Sequence, residues 1–159
     1  MTVMGKLGWL LSLILALCLA AAAYVFVVRG SVTEGDDGRS AIRLTASERI
    51  KVLGEMRGML EAVQTVTEAL AREDRAAIEN AARSVGMAAT QNESPALMGK
   101  LPLEFKTLGL ATHKAWDDIA DLAAIGATYR DINAALGDIL LNCTSCHAGY
   151  QFYATVPDP

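Results

Sequence analysis

Residues 7–28 carry no charged side chain, and this run limits the possible folds more than any other feature of the chain. As a helix, its 22 residues rise about 33 Å at about 1.5 Å each, enough to cross the hydrocarbon core of a bilayer. Trp9 and Tyr24 stand near its ends, where amphipathic rings favour the interface. The overall hydrophobic content of 52% is inflated by this segment. A cleaved signal peptide is the alternative, with a small-residue site at Ala20–Ala23. The apolar run continues through Tyr24-Val25-Phe26-Val27-Val28, which favours an uncleaved anchor over residues 1–29.

The remainder divides by composition. Residues 30–44 begin with a glycine-rich, acidic stretch and read as a flexible linker. Four helices are expected after it. The first starts at Thr45, with Glu48 three residues on as a capping box. Val52, Met56, Met59, Val63, Val66 and Leu70 form its seam. A second helix spans about 74–89, and two prolines then break the pattern over 91–102. The third runs over about 103–126, with Phe105, Leu108, Thr112, Trp116, Ile119 and Leu122 as its buried stripe. The fourth starts near Asp131. The expected fold is all-α: an antiparallel four-helix bundle over residues 45–152, an N-terminal transmembrane helix, and a short tail over 153–159.

The fourth helix carries the most chemically specific pattern, Cys143-Thr144-Ser145-Cys146-His147. C-x-x-C-H is the attachment pattern of a c-type haem. On a helix, positions i, i+3 and i+4 share one side, so two thiols and an imidazole can meet one flat ligand. A thioredoxin-like pair would need a βαβ setting, and a zinc site would need about four ligands. The expected cofactor is therefore one covalently attached haem c, with its iron ligated by His147. Such haem is attached outside the cytoplasm. This places the domain in the periplasm on a bacterial inner membrane, single-pass through residues 7–28.

The motif near the end of a four-helix pattern, with Tyr150 three residues after His147, resembles the class II c-type cytochromes. These comprise cytochrome c-prime and its methionine-ligated relatives. Gln151, where a basic residue is common, and the anchor are departures. The resemblance covers roughly residues 45–152. It implies that Arg49 lies near a propionate and that Leu53, four residues on, covers the iron. In a register one turn further along, Met56 becomes the sixth ligand instead. Met59, His113 or no sixth ligand are the other outcomes. Arg57 is a second propionate partner, and Tyr150 and Trp116 pack against the haem.

Residues 31–159 hold twelve of the fourteen Lys and Arg and all eighteen Asp and Glu, a formal charge of −6. That excludes nucleic acid as a partner. The expected function is a membrane-tethered monohaem cytochrome. It carries single electrons to or from a membrane redox enzyme or a respiratory or photosynthetic complex, with a homodimer possible. The alternative is a cytochrome c-prime-like module binding nitric oxide or carbon monoxide. No nucleophile–base pair points to an enzyme.

Overall fold

Helix α1 (Val3–Ala23) runs without a break into a π-helical stretch, Tyr24–Arg29. The computed structural model describes residues 3–154. Residues 155–159 of the expected C-terminal tail lie outside the described residues. From Leu7 to Arg29 no side chain of this helix is buried by protein, and Trp9 is 72% exposed. Among the described residues, one helix is thus long and apolar enough to cross a membrane, so the chain can be anchored in a bilayer.

The anchor does not end in a free tether. Gly30 closes the helix with φ 65° and ψ −164°, and its N–H donates to Val25 O at 3.0 Å. A Cβ at this position would stand 2.5 Å from Lys100 O and 2.7 Å from Pro102 N, so only glycine fits. Ser31 N then donates to Lys100 O at 2.7 Å, and Lys106 Nζ donates to Val27 O at 2.9 Å. The end of this apolar helix is docked on the domain.

Residues 30–44, expected as a linker, carry two strands instead. Strand β1 (Val32–Glu34) pairs antiparallel with β2 (Ser40–Leu44), placing Val32 opposite Ile42. A turn through Gly38, at φ 83°, joins them. Strand β3 (Tyr150–Ala154) pairs parallel with β2, Ser40 against Tyr150 and Ile42 against Phe152. The all-α expectation is therefore corrected. The described residues form six helices and a three-stranded mixed sheet in the order β1-β2-β3, not a pure four-helix bundle. The sheet forms because Ala41, Ile42 and Leu44 all become buried, which a hydrated tether would not allow.

Helix α2 (Ala46–Ala71) begins at the expected capping box: Glu48 N donates to Thr45 Oγ1 at 3.3 Å, and Thr45 N to Glu48 Oε2 at 2.8 Å. Helix α3 (Arg75–Ser84) is capped by Asp74 and stops five residues short of its expected end. It stops at Gly86, where a Cβ would meet the Asp117 carboxylate at 2.1 Å; Asp117 Oδ2 accepts from Met87 N instead. The break over 91–102 contains a further helix, α4 (Pro95–Lys100), with Ser94 as its cap and Pro95 in its first turn. Helices α5 (Leu103–Ala124) and α6 (Tyr129–Gly149) complete the order.

Two apolar clusters hold these elements. Val66, Ile78, Trp116, Ile119, Ile132 and Ile139 fill the space between α2, α3, α5 and α6, and all are fully buried. Ile42, Leu44, Val52, Leu97, Leu101 and Phe105 join the sheet to α2, α4 and α5. Fully burying each large side chain stabilises the fold by about 1.5–3 kcal/mol relative to exposure.

Candidate functional site

The last two turns of α6 bring Cys143, Cys146 and His147 to the boundary between the two clusters. Both thiols are free and half-buried, and His147 is exposed. Three adjoining hollows open along this face. The first, about 240 Å³, is lined by Arg39, Arg49, Leu53, Cys146 and Tyr150 among others. The second, about 350 Å³, is lined by Arg57, Met59, Val63, Trp116 and Cys143. The third, about 120 Å³, reaches Glu55, Thr112 and His113 past Cys143 and Cys146. Met56 and His147 border all three. The residues singled out in the sequence are thus gathered: Arg49, Leu53 and Met56 on α2, Cys143, Cys146 and His147 on α6, and Tyr150 at the start of β3.

Most walls are apolar. Phe105 meets Tyr150 edge-on at 5.3 Å between centroids and Phe152 at 5.7 Å. Phe152 was not read as a site residue, because it lies on a strand that begins where α6 ends. Burial pushes both thiols up from the ordinary range, and for Cys146 the neighbouring Cys143 adds to the shift. Both are protonated at neutral pH, which makes them weak nucleophiles. Burial also raises the Tyr150 phenol, with Glu104 adding its charge; Tyr150 Oη donates to Glu104 Oε2 at 3.2 Å.

Charge is confined to the edges. Arg39 Nη1 donates to His147 O at 3.2 Å and to Tyr150 O at 3.3 Å, and its guanidinium also pairs with Asp37. The Arg49 guanidinium has no hydrogen bond or ion pair among the described residues. At the far side, burial and the charge of Glu93 raise the Glu55 carboxyl. Lys51 bridges these two carboxylates, while Glu93 Oε2 is buried without a partner. His113 is held by its Nδ1–H, which donates to Val85 O at 2.8 Å. Trp116 is fully buried, and its Nε1–H has no partner although it borders the second hollow.

Among the described residues, no group of three or more His, Cys, Asp or Glu side chains is arranged to hold a metal ion. This finding corrects the expectation drawn from the C-x-x-C-H spacing. A haem c and its iron, ligated by His147 with Met56, Met59 or His113 opposite, are not supported by the arrangement. The identification with class II c-type cytochromes loses its support with them. So do the electron-transfer function and the alternative of nitric oxide or carbon monoxide binding. Helical spacing set the two thiols and the imidazole along one stretch of α6, but among the described residues no His, Cys, Asp or Glu side chains close into a metal-holding group there. No family model, curated protein or solved structure matches the chain.

Proposed function

We propose that the chain is a membrane-anchored binding protein whose extramembrane domain holds a small amphipathic molecule between α2, α5 and α6. The carrying observation is the convergence of three hollows on Met56 and His147. Their walls are mainly apolar, with an unengaged Arg49 at one rim. Sites for small molecules are commonly apolar clefts with a few placed polar groups. An apolar body would lie against Phe105, Leu53 and Met56, with an acidic group toward Arg49. The orphaned indole N–H of Trp116 supports the same reading, since a buried donor without a partner calls for an acceptor.

Binding rather than catalysis is supported by thiols that burial keeps protonated and by His113, whose ring donates to a backbone carbonyl. The side of the membrane that the domain faces is open to a direct assay, because Lys6 before the apolar run is matched by Arg29, Arg39 and Arg43 soon after it. A carboxy-terminal alkaline phosphatase fusion, active only outside the cytoplasm, tests it.

Native mass spectrometry of the full chain, extracted in mild detergent, tests the binding reading. Wild type carries one small molecule above the polypeptide mass. Met56→Trp, which fills the junction of the hollows, carries it at several-fold lower occupancy. Denaturing mass spectrometry distinguishes a molecule held by contacts from one bonded to Cys143 or Cys146. Bare polypeptide in both proteins, or equal occupancy in both, refutes the proposal.

A further inference from the structure

A further hollow lies where the N-terminal apolar helix meets the domain, away from the thiols. It measures about 720 Å³. Val25 and Phe26 from the last helical turn, together with Pro95 and Ala96 of α4, supply apolar wall, and Arg29, Arg43 and Lys100 supply cations. Lys100 is already answered: its Nζ donates to both Glu48 oxygens, at 2.8 and 2.7 Å. Arg29 and Arg43 are exposed, and their guanidinium groups have no hydrogen bond or ion pair among the described residues. Two uncompensated cations therefore face one hollow that also has an apolar side.

Depth makes this arrangement informative. Phe26 precedes Arg29 by three residues, less than one turn of the same π-helical stretch. If the apolar run spans the bilayer, Arg29 stands at headgroup level and Phe26 at the top of the acyl region. The docking through Gly30 and Ser31 holds the domain, with Arg43 on β2, against that same level.

We infer that this hollow is a binding site for the headgroup of an anionic phospholipid. Arg29 and Arg43 grip its phosphodiester, and the first carbons of its acyl chains lie along Val25 and Phe26. Guanidinium groups match phosphate oxygens in charge and geometry. The inference rests on the membrane-anchored reading and is independent of the molecule held near Met56.

The test uses the full chain in phosphatidylcholine vesicles containing a minor fraction of phosphatidylglycerol. Flotation first shows whether each variant enters the bilayer. Native mass spectrometry after detergent transfer then reads how much phosphatidylglycerol stays bound. Removing each cation lowers retention about fivefold, so the Arg29→Gln, Arg43→Gln double variant loses about twenty-five-fold. The charge-matched pair Arg72→Gln, Arg130→Gln, far along the chain from this hollow, retains the lipid as wild type does. Equal retention in the first double variant, or equal loss in the control pair, overturns the site while leaving the anchor standing. Displacement of the lipid by inorganic phosphate overturns it in favour of a free-phosphate site. Failure of wild type to float overturns the anchor and the site together.

Discussion

Replacing Gly30 with alanine should loosen the domain from its anchor without unfolding it. At φ 65° and ψ −164° the backbone occupies a region reserved almost wholly for glycine, and a non-glycine residue there costs about 1–3 kcal/mol. The added Cβ would also sit 2.5 Å from Lys100 O and 2.7 Å from Leu101 C and Pro102 N. That obstacle is backbone, which cannot rotate aside, so the 100–102 segment must retreat. Its retreat weakens the 2.7 Å bond from Ser31 N to Lys100 O, a further loss of about 1 kcal/mol. The combined penalty of about 3 kcal/mol raises the open population roughly a hundredfold. Amide hydrogen exchange of the bilayer-reconstituted chain reads this directly. Ser31 should exchange about a hundred times faster in Gly30→Ala, while amides around Ile119 and Ile139 stay slow. Wild-type exchange at Ser31 would refute the docking argument, and acceleration everywhere would show that Gly30 supports the whole fold instead.

Other consequences can be measured on the same preparation. Ile139→Ala, at a fully buried position, should cost about 2–5 kcal/mol in urea unfolding, and a change under 1 kcal/mol would contradict its place in the core. Thr45→Ala removes the α2 cap and should cost about 1 kcal/mol by the same assay. The Glu55 carboxyl is raised, so the folded state holds its proton more tightly than the unfolded chain does. This contribution is present below the ordinary carboxyl range and is lost as pH rises through the raised value; Glu55→Gln should flatten that fall in stability. Iodoacetamide should modify Cys143 and Cys146 at neutral pH more slowly than a free cysteine, with the rate still climbing above the ordinary thiol range. Alkylation of the unfolded chain counts the sulfurs that are free.

The parts of the fold legible in the sequence were those written in local chemistry. Thr45 with Glu48 marked the start of α2, Asp74 marked α3, and the apolar run marked the anchor, because each signal acts within a turn or two of its own residue. Ser94-Pro95 was an equally local start signal for α4, but it lay among breakers and spanned under two turns. The strands were hidden for a different reason. Ser40–Leu44 is only five residues long, and its partner Tyr150–Ala154 is remote in sequence. Neither run alternates long enough to announce a strand, and each is buried only once the other is present. The site was half legible: helical spacing placed Cys143, Cys146 and His147 on one face and Met56 on the α2 seam. Phe152 and Arg39 reach the same hollows only through the sheet, and whether donor side chains gather around a motif is a property of the packed chain.

The parallel pairing of β2 with β3 also sets an order of events in the making of the protein. β2 leaves the ribosome well before β3, because the paired residues Ser40 and Tyr150 are 110 positions apart. Ser40 must wait for Tyr150, and closing a loop of that length costs about 4 kcal/mol of chain entropy. Until then, Ala41, Ile42 and Leu44 stand unprotected on a strand edge held close to the lipid by the anchor. A nascent chain of this kind gains from a chaperone that shields the strand edge more than a protein whose sheet is made from neighbouring strands.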